Sequence, residues 1–198
     1  MLLNRITMED LREQVNALDP EATYIMGNKL MNGFSAPMDT ELGKGYIFTS
    51  AALGFARAQV AAGELILSGA ADEKNSEKAV EYFRKAAEQG CPEGIWKLGE
   101  CLMEGRGIES DYELGFSLMI SAAKRGCVPA MLEVGEICIR DRNGKRAEKY
   151  LKRAASKGNE EAKFELANLY SRAIWSRRTW SGPSDCSGKP LKEMWMKR

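Results

Sequence analysis

The chain has 198 residues, 44% of them hydrophobic and 29% charged, the balance of a folded domain and not of a disordered chain. Its net charge of +1 gives no whole-chain reason to expect nucleic acid or an anionic membrane as partner. It contains no histidine, which removes Ser-His and Cys-His nucleophile pairs together with the commonest metal ligand.

The opening, Met1 to Thr7, lacks the long apolar stretch of a secretory signal, and no window has the length of apolar chain that a membrane span needs. The expected compartment is therefore the cytoplasm. Thr7-Met8-Glu9-Asp10 reads as a capping box, opening a helix through Leu18 that occupies the register of a second helix without its first. Residues 1–19 are read as an N-terminal capping helix on that basis.

From residue 20 the chain repeats itself. The segments ending in Gly54, Gly90, Gly126 and Gly158 share an Ala-Ala or similar small pair, and those glycines lie 36, 36 and 32 residues apart. A second marker runs in step: Gly27, Gly63, Gly99, Gly135 and Ala167, spaced 36, 36, 36 and 32. Two markers with one period and one shared four-residue deletion define a tandem repeat, the deletion falling where Asp141-Arg142-Asn143-Gly144 stands for a longer loop. Around the first marker, Ala58, Ala62, Gly63 and Ile66 lie on one helical face, and Gly94, Leu98, Gly99 and Leu102 repeat the pattern. First helices are expected to begin near Pro20, Arg57, Pro92, Pro129 and Glu160. Ser76 or Asp111 is placed to cap a second helix, which the final glycine stops in a left-handed conformation. A glycine inside a helix costs about 1 kcal/mol, so five small residues at one register need a packing reason: they let a partner helix approach closely.

Leu98-Gly99, Gly105-Arg106-Gly107-Ile108, Asp111 and Ala122-Ala123-x-x-Gly126 closely resemble the Sel-one-like repeat family, relatives of the tetratricopeptide repeats. The resemblance covers about residues 20–174, as four full repeats and one half repeat. It implies an all-α, right-handed superhelical α-solenoid of helix–turn–helix repeats, with ten helices between Thr7 and about Ile174. The loop Asn32 to Asp39 departs from the family pattern. Some secreted members brace each helix pair with a disulfide; here Cys91 and Cys127 share a repeat position, but Cys101 and Cys138 do not share another. With Cys186 they make an odd number and no CxxC pair, so all five are expected to be reduced.

No catalytic motif emerges. There is no Gly-x-Ser-x-Gly elbow, no phosphate loop at Gly43-Lys44-Gly45 and no calcium loop, so neither metal nor cofactor is expected. The best enzymatic lead is Glu64, Glu100 and Glu136, one repeat apart, since paired carboxylates can serve glycoside hydrolysis. Recurrence at one register argues instead for a surface set by the repeat. The expected function is a non-enzymatic protein–protein interaction module: an adaptor, a regulator or an immunity-type inhibitor. A small hydrolase and nucleic-acid binding by the tail are the alternatives.

In tetratricopeptide geometry, which the resemblance implies, first helices line the concave groove. The positions facing it then give Tyr24, Val60, Trp96, Leu132 and Phe164 in one column and Glu64, Glu100 and Glu136 in a second, with Met103 in a third. Tyr24, Val60 and Leu132 suit packing between repeats as well as ligand contact. Trp96 and Met103 beside Glu100 form the sharpest candidate, an aromatic anchor and an adaptable thioether next to a carboxylate. The partner expected there is an amphipathic, basic segment of another protein, with no membrane, and with nucleic acid kept only as the tail-mediated alternative.

Residues 175–198 are read as a basic tail. Six Lys/Arg oppose Asp185 and Glu193 over residues 177–198, leaving −3 on the rest of the chain. Leu191, Met194 and Trp195 give this tail an apolar element expected to dock on an acidic-apolar surface of its own chain or of a second copy.

Overall fold

The computed structural model describes residues 8–33, 38–69 and 73–175. Among the described residues there are ten α-helices and no strand. They are α1 (Met8–Asn16), α2 (Pro20–Asn32), α3 (Thr40–Ala52), α4 (Ala56–Gly69) and α5 (Glu73–Glu88). Then come α6 (Pro92–Glu104), α7 (Tyr112–Arg125), α8 (Val128–Arg140), α9 (Gly144–Ser156) and α10 (Glu160–Trp175). The five first helices start within one residue of the positions expected from the repeat. The chain divides into two compact units, residues 1–127 and 128–198, the first holding α1 to α7 and the second α8 to α10.

Local chemistry sets the helix limits. Pro20 and Pro92 occupy first turns, where a missing N–H costs nothing. Asp39 and Asp111 cap α3 and α7, each Oδ1 accepting from the backbone N–H three residues on, at 3.0 and 2.9 Å. Asn143 does the same for α9 at 3.2 Å. Gly54, Gly90, Gly126 and Gly158 all adopt positive φ, between 77° and 107°, as a left-handed stop requires.

Two expectations fail. Ser76 does not stand at a helix start: α5 begins at Glu73, so Ser76 lies inside the helix, 8% exposed, with Gly107 seated against its backbone. The first helix stops at Asn16 and not at Leu18, whose φ of 59° breaks the helical path. The Asn32–Asp39 loop departs from the family pattern in sequence, yet its described ends match those of the Gly105–Asp111 loop. Gly33 and Gly105 share φ near 69°, and the N–H groups of Asp39 and Asp111 donate to Leu30 and Leu102 at 3.0 and 2.9 Å. The cap expected at Thr7 lies outside the described residues.

The marker glycines have the packing reason the sequence demanded. A Cβ at Gly27 or Gly99 would stand 2.9 Å from the carbonyl oxygen of Gly43 or Gly115 on the second helix. At Gly63 it would meet the Phe83 ring at 2.5 Å, and at Gly135 the Leu151 side chain at 2.6 Å. Leu11, Ile47, Phe83, Met119 and Leu151 form the matching column on the second helices, each 0–3% exposed. A buried side chain of this kind contributes about 1.5–3 kcal/mol. Leu11 belongs to α1, which sits on Ala22, Met26 and Leu30 of α2 and so closes that end with a second helix alone.

Candidate functional site

Within the first unit, α4 and α6 are the first helices of consecutive repeats and touch directly. Between them opens a cavity of about 300 Å³. Glu64, Leu67 and Ser68 of α4 form one wall, Lys97, Glu100, Cys101 and Glu104 of α6 the other, Phe83 of α5 the floor, and Arg106 stands at the rim. Phe83 reaches this floor because Gly63 leaves space above it.

Lys97 organises the charge. Its Nζ lies 2.8 Å from Glu100 Oε2 and 3.5 Å from Glu64 Oε1, joining the two repeats by one ammonium. The same Nζ stands 3.9 Å from the centroid of the Trp96 ring, a cation–π contact. Burial works to lower the Lys97 pKa, but Glu100 and then Glu64 outweigh it and the net shift is upward. Beside it the Cys101 thiol, 3% exposed, is pushed up to about 11, chiefly by burial, so it stays protonated and unreactive near neutrality.

Through Lys97 the structure brings Glu64 of α4 to Trp96 and Glu100 of α6, whereas Met103 is not among the residues lining the cavity. Trp96 and Met103 are half-buried, and Met103 packs at Gly115 of α7. Tyr24 is half-buried with its ring 5.4 Å from that of Phe55. Val60 and Leu132 are 8% and 9% exposed and belong to the core. In the second unit, Phe164 is 65% exposed, and Glu136 lies within electrostatic reach of Glu161 and Glu165. Burial, then those two glutamates, push the Glu136 carboxyl up; Arg140 opposes them. Sequence reasoning missed Lys97, although its i,i+3 spacing to Glu100 was the available signal. Leu191, Met194, Trp195 and Cys186 lie outside the described residues. Among the described residues, Cys91, Cys101, Cys127 and Cys138 form no disulfide.

The repeat has a family model, the Sel1 repeat, and it matches residues 56–91, 92–127 and 130–159. The chain belongs to the Sel1 repeat family. Sel1 repeats are typically protein–protein interaction modules. A Sel1 repeat protein from Oxalobacter formigenes is similar over 96% of this chain and 77% of its own, at 21% identity and a TM-score of 0.74. The antigen c5321 of uropathogenic Escherichia coli, described as protective and displaying an SLR fold, covers 84% of this chain at 26% identity and TM-score 0.68. This Sel1-repeat chain spans only 36% of that antigen's length. The immunity protein Pa5087 of Pseudomonas aeruginosa covers 94% of the chain, which spans 66% of it, at 20% identity and TM-score 0.60. No curated protein sequence matches the chain. Among the described residues no helix is long and apolar enough to cross a membrane.

Proposed function

We propose that this Sel1-repeat chain is a non-enzymatic interaction module that holds an amphipathic, basic segment of another protein on its α4–α6 face. The observation that carries this reading is the arrangement around Lys97: a half-buried Trp96, two carboxylates and a cavity of about 300 Å³ on one face. An apolar side chain of the partner has Trp96 and Leu67 to pack on. A basic one has Glu64, whose side chain remains 52% exposed, and Glu104, half-exposed and paired with Arg106 at 2.6 Å. Glu64 and Glu100 are held by one lysine, the arrangement of a structural ion pair and not of an acid and base flanking a bond. An adaptor, a regulator or an immunity-type inhibitor would each use such a face.

Isothermal calorimetry on the full chain with a Lys/Leu amphipathic helical peptide and its Glu/Leu counterpart tests this. The Lys/Leu peptide is expected to bind with a Kd on the order of micromolar, more weakly as salt screens the carboxylates. Equal binding of the two peptides, or none, would sink the reading.

A further inference from the structure

Four of the five residues in the marker column, Gly27, Gly63, Gly99 and Gly135, are buried; the fifth, Ala167 of α10, is exposed. Three residues earlier in each repeat, Tyr24, Val60, Trp96 and Leu132 are half-buried or buried, while Phe164 is 65% exposed. The difference at the marker has a visible cause. Each of the four glycines faces a large side chain of a second helix, and no second helix follows α10 among the described residues. The N-terminal end shows the closed case, where Leu11 of α1 is fully buried on α2. A solenoid end left with an apolar face open to water needs a cover.

Residues 176–198 follow α10 directly and supply a match. Leu191, Met194 and Trp195 recur at i, i+3 and i+4, one helical face, and Pro190 precedes them, where proline suits a first helical turn. Reach is no obstacle. The 14 residues 176–189 can extend about 46 Å, whereas the 16 residues of α10 are about 24 Å long. Charge fits as well. Residues 177–198 hold six Lys/Arg against two acids, and α10 carries Glu160, Glu161 and Glu165 against Lys163 and Arg172, with Glu160 paired to Lys163 at 2.6 Å.

We propose that residues 190–198 form the second helix of the fifth repeat and cover Ala167 and Phe164, with Leu191, Met194 and Trp195 facing α10. In an antiparallel helix pair, Lys197 and Arg198 return toward Glu160 and Glu161 at the start of α10. The occupant is the chain's own tail, so the contact is intramolecular and favoured by a local concentration of order millimolar. It stands apart from the α4–α6 reading and survives if that reading fails.

Hydrogen exchange on the full chain, over a range of protein concentrations, tests this together with Ala167→Arg. An exposed alanine tolerates arginine, because both are strong helix formers, so the substitution is silent unless something covers the site. Amides of residues 191–198 are expected to exchange at least about tenfold more slowly than an unstructured chain, independently of concentration. Ala167→Arg, and separately Leu191→Ser with Trp195→Ser, should abolish that protection while leaving α8 and α9 protected. Unprotected residues 191–198 in the wild type, or protection that Ala167→Arg leaves intact, would overturn the proposal. So would protection that grows with protein concentration, which would assign the face to a second copy.

Discussion

The helix pairs of this chain come in two kinds that share one marker glycine. In α2–α3 and α6–α7 the marker faces a second glycine sixteen residues on, Gly43 or Gly115, and backbone meets backbone. In α4–α5 and α8–α9 the second position is Ala79 or Ala147, and the nearest atoms to the marker all belong to one side chain, Phe83 or Leu151. A glycine at one register therefore solves two different packing problems. In the first kind a carbonyl oxygen stands 2.9 Å from the added methyl beside the Ile47 or Met119 side chain, so trimming that side chain leaves the backbone contact in place. In the second the obstacle is itself a side chain that can be trimmed. The second kind also builds the site, since the Phe83 ring seated under Gly63 is the floor between Glu64 and Glu100.

The largest effect should come from the backbone pairs. Gly99→Ala is expected to cost about 2–3 kcal/mol by forcing α6 from α7, even after the gain in helix propensity. Met119→Ala should not relieve it, because the Gly115 carbonyl remains. Gly63→Ala should cost about 1–2 kcal/mol, and Phe83→Leu should recover roughly half in a double-mutant cycle read by urea denaturation. Equal rescue at both sites would erase the distinction between the two kinds of pair.

Smaller effects sharpen the picture at the site and in the second unit. Lys97→Met leaves Glu64 and Glu100 facing each other across the joint between repeats. A loss of about 0.5–1 kcal/mol is expected, together with tighter binding of the Lys/Leu peptide. The smallest shift is expected at Glu136. Its folded-state pKa lies above the unfolded value, so the folded form holds the proton more tightly and stability falls as pH rises through that window. Glu136→Gln should therefore stabilise the chain at pH 7, by a few tenths of a kcal/mol once solvent screening is allowed for. The gain should vanish below the ordinary carboxylate pKa. A gain that persists there would assign the effect to packing.

Much of this architecture was legible because repetition amplifies weak local signals. One glycine is a poor predictor of anything, but Gly27, Gly63, Gly99 and Gly135 at a common period located the inner face of four of the five first helices. The left-handed stops at Gly54, Gly90, Gly126 and Gly158 were legible for the same reason. What each marker packs against was not, because Ile47, Phe83, Met119 and Leu151 differ in volume and lie on another helix. Ser76 misled because a hydroxyl near an expected helix start is also compatible with the helix interior. At the site, the carboxylates were visible as a row, whereas Lys97 occurs in one repeat and left no periodic trace. Its role depends on α4 and α6 coming together, which local spacing does not encode.

The most direct test of the functional account is the peptide preference of the full chain carrying Glu64→Lys with Glu100→Lys. Circular dichroism would first establish that its helicity equals that of the wild type. Calorimetry should then show the preference inverted, the Glu/Leu peptide binding and the Lys/Leu peptide losing at least about tenfold in affinity. A folded variant that still prefers the Lys/Leu peptide as strongly as the wild type would place the binding surface elsewhere and contradict the account.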